Sequence, residues 1–232
     1  MKLTQINNEL KLLEDVLKFD PTQVKQGSDQ WKSMKLGIIS ASHAKTLMMK
    51  STSKTRDTYI ASLVSQIATG FMPEISARAM DWGNACEDSA RAAYEFSNNV
   101  KVVELPFIYA DKTMRYGCSP DGLVLASDKD TIVRGTEIKA PWNPENFIKF
   151  VCNSDIKKEH ELQCQFSMFV TGAQLWDYVN YDPRMKKKQI HQYTYERNEA
   201  LMSSFKSSID EVVYKMDGML SELGLTFGDQ WE

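Results

Sequence analysis

Cysteine, histidine and long apolar runs are what this chain has little of. Its 232 residues include four cysteines and three histidines. Cys86, Cys118, Cys152 and Cys164 are scattered and form no C-x-x-C pair. Neither a zinc cage nor an iron–sulfur cluster therefore has a template, and free thiols in a reducing compartment are expected. His43, His160 and His191 lie as far apart. A metal, if one is used, has to be held mainly by carboxylates, which suits a hard cation such as magnesium. No apolar run approaches the roughly 18 residues of a membrane span. The N-terminus, MKLTQINNELKLLEDVLKF, lacks the uninterrupted apolar core of a secretory leader. A cytoplasmic protein without membrane partners is expected. One-sided charge is missing too: 28 Lys+Arg stand against 31 Asp+Glu, a net charge of -3. Nucleic-acid contacts would have to come from local clusters, of which Lys45, Lys50, Lys54 and Arg56 form one and Arg184 to Lys188 another. A lone cluster of this kind is more often a solvated face.

No linker, repeat or low-complexity segment divides the chain, which predicts one domain over residues 1–232. Ile6, Leu10, Leu13 and Leu17 make one helical stripe in residues 5–19, closed by Pro21. Helices are also predicted at 40–49, 56–69 and 76–97, with Ser76 as the N-cap of the last. Along that helix Met80, Glu87, Arg91 and Tyr94 fall near one face. The period then changes. Residues 100–109, 114–125 and 131–140 predict an antiparallel meander, with a polar SDKD turn before the last strand. Pro141 and Pro144 stop it. Helices at 145–152 and 155–171, strands at 174–181 and 189–196, and a helix at 198–222 complete the pattern. The fold class is α/β, a central mixed sheet flanked by helices.

The chemistry concentrates in Pro120-Asp121 and Glu137-Ile138-Lys139. Sixteen residues separate the two acids, enough for a strand, a turn and a returning strand. Side chains two apart on a strand share a face, so Glu137 and Lys139 project together while Ile138 faces the core. The hairpin can bring Asp121 beside Glu137. Two carboxylates this close repel, and a divalent cation between them offsets the repulsion. A lysine beside them can hold or deprotonate an attacking water, or neutralise charge on a phosphate. This D…E-x-K arrangement is the signature of the PD-(D/E)xK nucleases, although E-x-K alone is usually a solvated ion pair. Glu87 is a third candidate acid, and helix period decides little between it and Asp88.

The segments WGNACEDSARAAYEF, MRYGCSPDGL, the E-x-K strand, QCQFSMFVTG, YVNYDPRMK and FGDQW together resemble the YqaJ-type viral recombinase family of phage exonucleases. The likeness runs from about Gly27 to Trp231, and the first 20 residues, a variable N-terminal helix, are the least alike. The resemblance implies a restriction-endonuclease-like PD-(D/E)xK core. It implies a processive 5′→3′ exonuclease that acts on linear double-stranded DNA, releases mononucleotides and leaves a 3′ single strand for an annealing protein. Two magnesium ions per site are implied, with manganese able to substitute. Asp121, Glu137 and the Ile138 carbonyl would hold one, and Glu87 with Asp121 the other. Lys139 becomes the catalytic lysine, and Gln163 lies near the attacking water. Lys35, Ser42 and Ser119 correspond to a pocket for the terminal 5′-phosphate, with lysine in place of the family's arginine. Met80 corresponds to a strand-separating wedge, Arg78 to a nearby basic contact, and Trp31 to a tryptophan at the DNA entrance. Glu145 stands where the family has a DNA-facing arginine, and Lys149 could substitute for it. The family also implies a homotrimeric ring and a phage or prophage origin in a bacterial host. An endonuclease of the same fold and an inactive DNA-binding module are the competing readings.

Overall fold

The computed structural model describes residues 1–73 and 78–232. The expected cap Ser76 lies outside the described residues. The chain opens with α1 (Leu3–Lys11), α2 (Glu14–Leu17) and α3 (Asp29–Met34), then β1 (Ile39–Ser40), α4 (Ala44–Leu47), α5 (Lys54–Thr69) and α6 (Arg78–Asn98). Strands β2 (Val102–Val103), β3 (Ile108–Tyr109), β4 (Tyr116–Cys118), β5 (Gly122–Leu125) and β6 (Ile132–Lys139) follow. The last elements are α7 (Pro144–Asn153), α8 (Lys158–Thr171), β7 (Leu175–Tyr181), β8 (Ile190–Glu196) and α9 (Glu199–Glu222).

A five-stranded sheet of order β2-β5-β6-β7-β8 forms the centre. Its β6–β7 pair is parallel and its other pairs antiparallel, so the sheet is mixed as expected. The single meander expected over 100–140 is instead divided. β3 and β4 join β1 in a separate three-stranded sheet. Pro106 and Pro120 stand at the two breaks, where a residue without an N–H cannot continue a ladder.

Three helical expectations also change. The helix over 5–19 breaks after α1, where the Leu13 N–H bonds the Leu10 carbonyl three residues back and tightens the turn. The helix over 40–49 keeps only its second half. Ile39 and Ser40 pair with Tyr116 and Gly117, and the Ser40 and Ser42 hydroxyls bond each other at 3.1 Å, competing with helical turns. α3 was not anticipated, although Ser28 is a plain N-cap that accepts from the Trp31 N–H.

Two layers cover the sheet. Cys86, Ala90 and Tyr94 of α6 pack on Val124, Ile138 and Val179. α8 covers the opposite face with Cys164, Phe166 and Met168 in the main core. Gly135 permits the close approach of β6 to Trp176, since a Cβ there would lie 2.3 Å from the indole ring. At that distance the ring, itself fully buried, would have to move and forfeit roughly 2 kcal/mol or more of packing.

Candidate active site

The hairpin of β5 and β6 assembles the acidic ladder. Gly122 pairs with Thr136, so Asp121 arrives beside Glu137. The Asp121 N–H donates to the Thr136 carbonyl at 3.2 Å. Its carboxylate accepts the Ile138 N–H at 2.6 Å, fixing the turn across the strand. Burial, and then the neighbouring Glu137, push the Asp121 carboxyl up to about 7, against the pull of Lys139, the Ile138 N–H and Arg91. Glu137 is 2% exposed, and its Oε1 lies 2.5 Å from Lys139 Nζ. Burial presses the Lys139 ammonium down, but Glu137 and Asp121 outweigh it and hold its pKa above the ordinary lysine value. Ile138 faces α6, as the alternation requires.

α6 brings Glu87 to the same cleft, of about 480 Å³. Burial raises the Glu87 pKa, Asp121 adds to it, and Arg91 opposes. Arg91 pairs with Glu87 at 2.8 Å and donates Nε to the Asp121 carbonyl at 3.2 Å. It ties helix to ladder. Sequence reasoning noted Arg91 only as a helix-face neighbour; its i,i+4 spacing from Glu87 was the available signal. Among the described residues no three acidic, cysteine or histidine side chains form a ready-made metal cage. The chemistry of the donors nevertheless suits a hard dication. Burial raises the cost of ionising both Asp121 and Glu87, Glu137 adds to it at Asp121 and Asp121 adds to it at Glu87, and a bound cation would relieve both.

His160 of α8 was not singled out, yet it lines the cleft. It stacks on Tyr178 with centroids 5.2 Å apart. Burial, then Lys139, push its pKa down to about 4, so it is a neutral imidazole at neutral pH. Gln163 lies on the same helix, half-buried, and does not line the cleft. Met80 lines it and is 51% exposed, so it is not a core residue despite its helical spacing. Arg78 begins α6, exposed.

Lys35, Ser119 and Trp31 meet at a second corner. Lys35 Nζ lies 3.7 Å over the Trp31 ring, whose Nε1 donates to Ser119 Oγ at 3.0 Å and to the Pro106 carbonyl at 2.8 Å. Ser42 is bonded to its own segment, with its hydroxyl 3.1 Å from that of Ser40. The Ser42 hydroxyl is also 3.3 Å from His43 Nδ1, and His43 is itself pushed down by burial and by Lys35. Burial lowers the Lys35 pKa to about 8. Two late residues hold the segment carrying Lys35: Trp231 Nε1 donates to the Ser33 carbonyl at 2.9 Å and Gln230 to the Leu36 carbonyl at 3.3 Å.

The sequence profile of the YqaJ-like viral recombinase domain matches residues 30–174. The chain belongs to this family. It is 30% identical to an alkaline exonuclease of Laribacter hongkongensis solved with dAMP, with a TM-score of 0.75 over 84% of this chain and 96% of that one. ExoD of Escherichia coli K12 is 46% identical over 76 residues, 33% of this chain and 87% of its own. A phage-related exonuclease of Haemophilus somnus is 10% identical over 80% of this chain and 96% of that one, with a TM-score of 0.62, a likeness of fold alone. The fold is that of the PD-(D/E)xK nucleases.

One departure from the family resemblance gains a local setting. Glu145 is exposed in the first turn of α7, where its charge suits the helix N-terminus. Lys149, one turn on, lines the cleft. The basic clusters divide as well. Arg56 is 2% exposed and bound to Glu211 at 2.9 Å, and Lys45 pairs with Glu159 at 3.3 Å. No helix among the described residues is long and apolar enough to cross a membrane.

Proposed function

We propose that this protein is a magnesium-dependent 5′→3′ exonuclease on linear double-stranded DNA, releasing 5′-mononucleotides and leaving a 3′ single strand for annealing-type recombination. The observation that carries the reading is that Asp121 and Lys139 line one cleft with Glu87, with the buried Glu137 ion-paired to Lys139 behind them. Membership of the YqaJ-like family and likeness to an alkaline exonuclease agree with it. Asp121, Glu137, Glu87 and the Ile138 carbonyl would hold magnesium, or manganese in its place. Bound there, the metal would supply Lewis-acid charge to the scissile phosphate and its attacking water.

The side chains supply the rest. Lys139, held as a cation by two acids, offers charge and hydrogen bonds to a phosphate oxygen and is a poor base. Arg91 keeps Glu87 and the Asp121 turn in one arrangement. Gln163 lies off the cleft lining, so its part in orienting water requires a movement of the side chain on binding. Lys35, Ser42 and Ser119 would take the terminal 5′-phosphate. A Lys35 ammonium already weakened by burial regains a strong partner when a phosphate dianion arrives. Met80 would part the strands, with Arg78 and Trp31 at the entrance. The annealing partner and a homotrimeric ring belong to the same reading, and light scattering at three times the chain mass would support the ring.

Product analysis tests the proposal. Linear duplex with 5′-phosphate ends should yield 5′-mononucleotides in magnesium, 5′-hydroxyl ends should react more slowly, and a closed circle should survive. Cutting of the circle, or full activity in a chelator, would refute it.

A further inference from the structure

Trp142 stands at the mouth of the cleft, on the connection between β6 and α7, and is 51% exposed. A large aromatic left half in water forgoes part of what its burial would bring, so its position asks for a cause. The loop is not loose. Arg184 Nη1 donates to the Trp142 carbonyl and Nη2 to the Pro141 carbonyl, both at 3.0 Å. The same guanidinium is gripped by the buried Asp182, whose oxygens lie 2.8 Å from Nε and from Nη2. Its remaining face lies 4.5 Å over the Trp82 ring. Trp82 in turn meets Trp142 edge to face, centroids 5.9 Å apart. Beside that contact Trp142 stays half exposed and lines the cleft.

Arg184 spends four of its five N–H donors on Asp182 and the two carbonyls. The Asp182 N–H bonds the Gln189 carbonyl, closing a short loop between β7 and β8. Lys186, Lys187 and Lys188 sit on that loop, all exposed. Among the described residues none of the three has a carboxylate within ion-pair distance, unlike Lys45, Arg56, Arg91 or Arg115. Three adjacent free ammonium groups beside a rigid indole, in a chain of net charge -3, form a local complement to a polyanion that also carries flat rings.

We propose that Trp142 and Lys186–Lys188 bind an unpaired stretch of single-stranded DNA at the cleft mouth, one base stacked on the indole and its neighbouring phosphates on the lysines. Stacking needs an exposed base face, which duplex DNA does not offer, and is tolerant of base identity. The inference rests on the nuclease reading for the identity of the polyanion. It adds a contact separate from the ladder and the Lys35 corner.

The test is fluorescence anisotropy with a short labelled single-stranded oligonucleotide in a chelator, where no cleavage interferes. Trp142→Ala should weaken binding about tenfold and Trp142→Phe should restore most of it. Abasic sites introduced one position at a time should include one that weakens the parent similarly and erases the Trp142→Ala effect. The triple variant Lys186→Ala, Lys187→Ala, Lys188→Ala should flatten the log–log salt dependence by about 2. Binding by Trp142→Ala within twofold of the parent, a penalty that survives every abasic position, or an unchanged salt slope would overturn the proposal. Degradation of linear duplex by the parent is scored separately. Its absence would remove the nuclease reading and leave these binding results standing; degradation with no Trp142 or lysine dependence of binding would remove this inference alone.

Discussion

Asp177 and Asp121 are acids of the same central sheet, one buried and one half-buried, and they live in opposite conditions. Asp177, on β7, is fully buried on the α6 face. It accepts from Tyr94 Oη at 2.6 Å, Arg134 Nη1 at 2.9 Å and Thr194 Oγ1 at 2.6 Å. Both oxygens are answered, and the network clamps α6 to the sheet. Asp121 has one backbone N–H and an acid for a neighbour, and its carboxyl is pushed up to about 7. A satisfied buried charge holds a scaffold in place, and an under-satisfied one is poised to receive something. The two are linked through α6, which carries Tyr94 to the first and Glu87 to the second.

Substitutions can break this contrast. Asp121→Ala should abolish cleavage in magnesium while DNA binding and the melting temperature persist; turnover within tenfold of the parent would contradict the assigned role. Asp177→Ala should do the reverse, costing about 3 kcal/mol in denaturant unfolding because Arg134, Tyr94 and Thr194 lose their acceptor. Lys139→Ala should lower turnover by about 10²–10³, the scale for one preorganised charge, and single-turnover kinetics would measure it.

Asp121→Asn is the smallest and the most discriminating. An acid whose pKa is raised on folding makes the folded state hold its proton more tightly. The parent, in chelator, should therefore lose stability as pH rises from about 4 through about 7. Asp121→Asn should lack that decline and be the more stable of the two near pH 8. Parallel pH profiles would show that Asp121 is as well satisfied as Asp177.

The sequence made the ladder legible because strand alternation is strict over Thr136 to Lys139, and a Pro-Asp-Gly turn marked its other half. The α/β class, α5, α6, α8, α9 and strands β6 to β8 were legible for similar reasons of period and length. The second sheet was not. Two-residue strands such as β1 and β3 carry no period, and their pairing partners are set by tertiary contacts. Strand β6 also carries an irregularity, since Val124 pairs with Arg134 but Leu125 with Ile132. One residue, Val133, is left over and turned to solvent, which a simple alternation misassigns. His160 and Arg91 escaped because their roles depend on what stands opposite them. The Asp177 network escaped for the same cause, with partners on a helix and two other strands.

The grip of Trp231 and Gln230 on the Ser33 and Leu36 carbonyls joins residues 198 and 194 positions apart. Synthesis is directional, so the Ser33–Leu36 turn has no clasp until residues 230 and 231 have been made. Glu87, Asp121, Glu137 and Lys139 all precede them in the chain. The corner that would recognise a DNA end is thus secured later in synthesis than the last residue of the ladder that would cut it.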